Sequence, residues 1–372
     1  MPVVPGLLER LAFRANLAPS AILDVHGAAS LHAAALAEDL GVFAALDGSR
    51  TAADLARELE LDREALETLL DALAAVGYVA RDGDEYRRTR ATERWLTAGG
   101  EANLAPFVRF WTDVVLPYWR DHAARAVREG DPGESLYEWL GDDEDAWATT
   151  QAGFRSAASL LQGPVADALG DVAGASVLDL GGGHGAYAVE LAERGAAVTL
   201  VDHPAALGPA REAAAAADAD VRLVGGDYLA DDLWERLGAV GAADPETGSS
   251  PGEEPDADRS GDPDEGYDLI LLFNVLHGHD PDEAADLLDR AAAALAPGGR
   301  LAVLDQFDAD GPTNLAAVGV ALIDLTYLVT LGSGTPDEEA TTRWIDAAGL
   351  ARVDSRTFRR APGVRLLVAE RA

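Results

Sequence analysis

The chain of 372 residues has no cysteine, which excludes disulfides and thiolate metal sites. Lysine is also absent: all 29 bases are arginine, set against 65 acids, for a formal net charge of −36. A nucleic-acid partner needs a basic footprint for its phosphates, and this balance is the opposite. Long apolar runs are missing too. The longest, Leu315 to Leu331, is interrupted by Asp324 and falls short of the roughly 20 residues of a membrane span. The N-terminus has no basic segment followed by an apolar core, so no secretory signal and a cytoplasmic location are expected. The seven histidines (26, 32, 122, 184, 203, 277 and 279) form no spaced pair on an expected helix, and no metal site is expected.

What is present is an apolar fraction of 48%, enough to fill proper cores, in a chain long enough for two domains. Such an excess of acid repels itself and is tolerated where salt screens it, the Debye length falling to about 3 Å at 1 M. The acidic, lysine-free, alanine-rich composition is similar to that of proteins from salt-loving archaea.

Residues 1–100 read as helices ending in a hairpin. Ser30 to Leu46 is expected to be one helix. The stretch from Thr51 to Val79 reads as helix, turn, helix, with Thr51 and Asp62 as N-caps and Leu66, Leu69, Leu70 and Leu73 as an apolar face. Tyr78 and Val79 open a strand, Asp82-Gly83 turns, and Tyr86 lies on the return strand. This is a winged-helix pattern, whose familiar use is DNA binding. Here the would-be recognition helix carries Asp62, Glu64, Glu67 and Asp71 against Arg63 alone, which points away from phosphates and toward a dimerising role. Residues 101–170 form a helical linker and substrate-cap region rich in large aromatics: Phe107, Phe110, Trp111, Tyr118, Trp119, Trp139, Trp147 and Phe154. Interdomain packing explains most of them, and a few could line an apolar pocket.

From 171 to 372 strands and helices alternate, the sign of a parallel α/β sheet. SVLDL, AVTLVD, VRLVGGD, YDLILLFN and RLAVLDQ are five strands. Ala351 to Phe358 and Val364 to Ala369 form a terminal antiparallel hairpin. The acidic segment 240–266 has no apolar periodicity and reads as a disordered insertion.

The first strand runs into Asp179-Leu180-Gly181-Gly182-Gly183-His184-Gly185, with a helix from about Ala186. Gly181, Gly183 and Ala186 also satisfy the dinucleotide pattern G-x-G-x-x-A, with Asp202 at suitable distance. The other acids separate the two readings. Asp179 stands where a carboxylate can meet an ammonium group, Asp202 can take both ribose hydroxyls, and Asp227 can accept from an adenine amino group. Three acids at successive strand ends suit a cationic amino-acid nucleoside better than a pyrophosphate. Helix capping in a very acidic protein would explain one of them more readily than all three.

Residues 177 to about 307 resemble the class I S-adenosylmethionine-dependent methyltransferases. With its N-terminal region and terminal hairpin, the whole chain resembles the two-domain small-molecule O-methyltransferases of the caffeic-acid, acetylserotonin and polyketide type. The resemblance implies a Rossmann-like seven-stranded sheet behind an N-terminal, mainly helical winged-helix dimerisation domain. It further implies a homodimer, a small-molecule methyl acceptor, and S-adenosyl-L-methionine held by Asp179, Gly181, Gly183, Asp202, Asp227 and Tyr228. Asn274, where the fourth strand ends, is counted with these contacts. His203 stands where the family has an apolar residue before proline. It is expected either near the adenosine or as a plain loop histidine.

The segment Asn274-Val275-Leu276-His277-Gly278-His279-Asp280 follows the fourth strand, where an open α/β sheet gathers its functional groups. A neutral imidazole is suited to removing an acceptor's proton near pH 7. His277 matches the family's base in V-L-H-D-W, although Gly278 and His279 replace Asp-Trp, and local hydrogen bonding is its bland alternative. Asp305, ending the fifth strand, is expected to orient it. The second flanking acid of plant members should fall near Ser333, where no carboxylate stands. Thr335 to Glu338 reads instead as a helix capping box. Related chains that hydroxylate or decarboxylate, and a cofactor-sensing winged-helix regulator, are the competing readings. His277 and the acidic helix, respectively, argue against them.

Overall fold

The computed structural model describes residues 6–17, 19–100, 102–238, 266–307 and 314–371. The acidic segment at 240–265 lies outside the described residues. The chain divides into two compact units, Met1–Pro117 with Ala152–Ala157 and Tyr118–Gln151 with Ala158–Ala372. The 101–170 stretch is therefore shared between them.

In the first unit the helix Ala21–Asp39 is followed by a separate short helix, Val42–Ala45. The single helix expected over Ser30–Leu46 is interrupted because Gly41 takes a left-handed φ of 70°, which glycine adopts without a Cβ penalty. Strand β1 (Arg50–Thr51) leads into the helix Ala52–Glu58, then Arg63–Ala75, β2 (Val79–Asp82) and β3 (Glu85–Arg88), with sheet order β1-β3-β2. Thr51 caps the first helix by accepting from Asp54 N, and Asp62 caps the second by accepting from Ala65 N. Such caps satisfy backbone donors that the helix cannot. Leu66, Leu70 and Leu73 are buried with Leu55, Phe43 and Tyr86. Of the acids on the second helix, Asp71 accepts from the Tyr86 hydroxyl at 2.7 Å and from Arg81 at 2.5 Å. Part of that acidity therefore serves the hairpin behind it.

The second unit is built on a seven-stranded sheet. Its strands are β4 (Ser176–Leu180), β5 (Ala197–Asp202), β6 (Val221–Gly225), β7 (Tyr267–Phe273), β8 (Leu295–Gln306), β9 (Leu350–Phe358) and β10 (Ala361–Arg371). Their order is β6-β5-β4-β7-β8-β10-β9. The first five are parallel, and β10 is antiparallel to both β8 and β9. Neighbouring residues on one strand go to opposite cores. Leu178, Leu180, Ile270, Leu272 and Val303 pack on one face, Val177, Leu269, Leu271, Ala302 and Leu304 on the other. This is why the central strands read as continuous apolar runs. Among the described residues no helix is long and apolar enough to cross a membrane.

β4 has β5 on one side and β7 on the other, so the direction of winding reverses there. In open α/β sheets the ligand crevice lies outside the carboxyl ends of the strands at this switch. Three strand ends differ from the sequence expectation. β6 stops at Gly225, two residues short of Asp227, because Gly226 N turns to Asp202 O at 3.0 Å. β7 stops at Phe273, since Asn274 takes a left-handed φ of 56°. β8 starts at Leu295, but its pairing with β7 resumes only at Arg300, leaving Pro297-Gly298-Gly299 out of register.

Candidate active site

β4 delivers Asp179 and then the glycine loop, and the helix Ala186–Glu193 follows. Gly181, Gly183 and Gly185 have φ of 72°, 44° and 72°. Two contacts show why side chains are excluded. A Cβ on Gly181 would lie 2.8 Å from Val275 Cγ2, and one on Gly182 would lie 2.6 Å from Asp179 Oδ2. At Gly181 the loop is thus pressed against the segment after β7, and at Gly182 against the side chain of Asp179.

Asp179 is 1% exposed and neither carboxylate oxygen has a hydrogen-bond partner. Burial first, and then the neighbouring Asp202, push its carboxyl up to about 7. A buried, unpaired carboxylate is destabilising, and a cationic ligand group would supply what the protein does not. Asp202, at the end of β5, accepts from Gly183 N at 2.8 Å and His203 N at 2.6 Å. Burial raises its carboxyl above the usual value, and those two N–H donors offset only part of that rise.

The other expected contacts are arranged less uniformly. Asp227 is exposed, and its Oδ1 accepts from Leu229 N at 2.9 Å. The Tyr228 ring lies 3.6 Å from the position of a Gly181 Cβ, and its hydroxyl is 3.0 Å from His279 Nε2. His203 is exposed, and its Nδ1 accepts from Ala205 N at 3.3 Å, capping the turn Pro204–Ala206. That is the local role of a loop histidine. Asn274 is exposed, and its backbone N–H donates to Leu304 O at 2.7 Å. No hydrogen bond among the described residues joins its side chain to the glycine loop.

Beyond β7, a single turn, Leu276–Gly278, carries His277. His277 is 8% exposed and Asp305 on β8 is fully buried, with Nδ1 and Oδ1 2.8 Å apart. Asp305 also accepts from His277 N at 3.3 Å and Gln306 N at 2.7 Å. The carboxylate thus fixes the proton on Nδ1 and leaves Nε2 as the basic nitrogen. His279 sits between Tyr228 and Glu283, whose Oε2 is 3.5 Å from Nδ1. Burial holds its pKa below the usual 6.5, against the pull of Glu283.

Several neighbours escaped the sequence reading. Gln151 is 5% exposed with no partner for Oε1, which lies 3.1 Å from the position of a Gly183 Cβ. Tyr137 stacks on Trp147, with centroids 5.9 Å apart at 9°. The residue as a whole is 41% exposed, yet burial around the phenol, followed by Asp202, pushes its ionisation up to about 12. Tyr327 lies flat on the His277 ring. Ser333, at the position where plant members carry a second acid, donates from its hydroxyl to the His277 carbonyl. The capping box expected from Thr335 to Glu338 is not formed. Asp337 caps the helix Glu338–Ala347 by accepting from Ala340 N, and Thr335 donates instead to Asp324 through N and Oγ1. A hydroxyl or an amide at an unmarked helical or loop position carries no motif, so only the fold could reveal these contacts.

Residues 154–354, more than half of the chain, match the family described as "Methyltransferase domain". The chain belongs to the methyltransferase-domain family. Over its whole length it is 28% identical to a mitomycin biosynthesis 6-O-methyltransferase of Streptomyces lavendulae, covering 98% of that protein. It is 27% identical to a 3-hydroxy-5-methyl-1-naphthoate 3-O-methyltransferase of Streptomyces sahachiroi, over 89% of this chain and 88% of that one. The methyltransferase also shares its fold with human N-acetylserotonin methyltransferase, solved in complex with S-adenosylmethionine. The TM-score is 0.73 at 21% identity, with both chains fully covered. The family match and this neighbour's bound ligand support S-adenosyl-L-methionine as the cofactor.

Proposed function

We propose that this methyltransferase moves a methyl group from S-adenosylmethionine to a hydroxyl oxygen of a small molecule, with His277 as general base. The observation that carries the reading is the buried His277–Asp305 pair on the segment whose Val275 presses on the glycine loop. The relatives named for 6-O- and 3-O-methylation support oxygen as the accepting atom.

Asp179 would receive the cofactor's ammonium group, Asp202 its ribose hydroxyls, and Asp227 with Tyr228 its adenine end. Gly181 and Gly183 let the ligand approach bare backbone. The bound cofactor supplies an electrophilic methyl on a sulfonium sulfur. His277 Nε2 takes the proton as the acceptor's O–H bond breaks, which leaves the oxygen free to attack the methyl group that the cofactor would supply. Asp305 keeps the imidazole in the right tautomer and stabilises its charged form.

The test is to incubate the protein, in high salt, with methyl-labelled S-adenosylmethionine and a panel of hydroxylated acceptors. Labelled methyl on a hydroxyl oxygen, with S-adenosylhomocysteine released, is expected. Label found only on nitrogen or carbon would refute the oxygen assignment.

The N-terminal unit exposes Leu7, Leu8 and Leu11 at 75%, 80% and 54%, and Leu17, Ile22 and Val25 nearby in sequence are exposed too. Apolar surface of that kind on a protein otherwise so charged supports homodimerisation through this unit. Light scattering should give twice the chain mass of 38.8 kDa, and a monomer mass at working concentration would contradict it.

A further inference from the structure

His277 is enclosed by groups from several elements. Asp305 on β8 holds Nδ1, and the Ser333 hydroxyl donates to its backbone carbonyl. His279, two residues on, pairs with Glu283 and Tyr228. From the helix Asn314–Leu331, Tyr327 lays its ring on the imidazole with centroids 3.9 Å apart and planes 3° from parallel.

The geometry of that stack is informative. Neutral aromatic pairs favour offset or edge-on contacts with centroids about 4.5–7 Å apart, because their negative faces repel. A closer, parallel sandwich suits a different pair. A cation over the face of tyrosine is attracted by the ring quadrupole, more strongly where water is excluded. The phenol itself stays neutral: burial, then Asp305 and Tyr137, push its ionisation well above the usual 10. The ring is thus better matched to an imidazolium than to an imidazole.

We propose that Tyr327 is a positioning residue for the reaction, stacking on His277 so as to favour the imidazolium form that follows removal of the acceptor's proton. The proposal rests on His277 being the base. It adds that the strength of this base is set from two directions, by Asp305 in the ring plane and by Tyr327 on the ring face. The proton leaves the acceptor oxygen, resides on Nε2 while the stack stabilises it, and passes to water after the product departs. The Tyr327 hydroxyl has no part in this, so phenylalanine should serve as well.

The test is kcat/KM against pH for the full chain in constant high salt, with Tyr327→Phe, Tyr327→Met and Tyr327→Leu beside the wild type. The wild-type rate should rise along an acid limb as His277 loses its proton, and His277→Gln should abolish that limb. Tyr327→Phe should leave the limb in place. Tyr327→Met and Tyr327→Leu should move it to lower pH by about one unit and lower kcat, with the KM for S-adenosylmethionine kept. An unmoved limb in both aliphatic variants, or Tyr327→Phe behaving as Tyr327→Leu does, would overturn the proposal. Should neither aliphatic variant bind S-adenosylmethionine, a series of fluorinated phenylalanines at 327 drains charge from the ring face with little change of shape. The limb should then step downward with each fluorine, and a fixed limb overturns the proposal. A limb that persists in His277→Gln removes the base assignment itself, and this proposal with it.

Discussion

Replacing His277 by alanine is expected to lower turnover by about 10²- to 10⁴-fold, the usual contribution of a positioned general base, while S-adenosylmethionine binds as before. The expectation follows from how the histidine is held. Its Nδ1 is committed to Asp305 at 2.8 Å, which leaves Nε2 to meet an acceptor. The imidazole is 8% exposed, so few water molecules compete for it. The residues proposed to hold the cofactor lie on the glycine loop, at the ends of β4 and β5 and just beyond β6, and no hydrogen bond among the described residues joins their side chains to His277. Titration calorimetry with single-turnover methylation separates the two effects. Unchanged turnover would refute the base assignment, and lost binding would show that His277 belongs to the cofactor site instead.

The second large effect concerns Asp179. Its carboxylate is buried, unpartnered and pushed up to about 7 by burial and by Asp202, so below that pH the ligand-free protein keeps it protonated. An ammonium partner favours the ionised form, and binding must therefore expel a proton when the pH is below about 7. Affinity for S-adenosylmethionine should climb with pH up to about 7 and level off above it. The same raised pKa makes Asp179 stabilise the free fold below its unfolded value of 3.8, a contribution lost as pH rises through about 7. Asp179→Asn keeps the shape and removes the charge. It should weaken binding by about 10- to 150-fold, the range for a hydrogen bond to a charged group, and flatten the pH dependence. An affinity that stays pH-dependent in Asp179→Asn would assign the proton to another group.

Much of the sheet was legible because its strands announce themselves as short apolar runs ending in acids or glycines. Asp179, Asp202 and Asp305 could be placed at strand ends from that pattern alone. What sequence spacing could not supply was the contact between segments far apart in the chain. Gly181 meets Val275, Tyr228 meets His279, and Ser333 reaches the His277 carbonyl, and none of these pairs has a local signature. Alanine and leucine on either side of Gly41 make one helix the natural expectation, but Gly41 takes a left-handed φ of 70° and divides it. Thr335 was read as a cap because its spacing to Glu338 fits one, but Asp324, eleven residues earlier, offers it a carboxylate oxygen at 2.8 Å from N and 2.9 Å from Oγ1. Asp227 and His203 lie near the expected places yet are exposed, each engaged with its own loop.

The glycine loop alone would also fit a dinucleotide, and the assignment to S-adenosylmethionine rests on the family match, with the carboxylates around the loop proposed to hold it. Isothermal titration of the full chain in high salt, with S-adenosylmethionine in one experiment and NAD in the other, tests that claim most directly. Saturable heat with S-adenosylmethionine and none with NAD is expected. Heat with NAD and none with S-adenosylmethionine would contradict it.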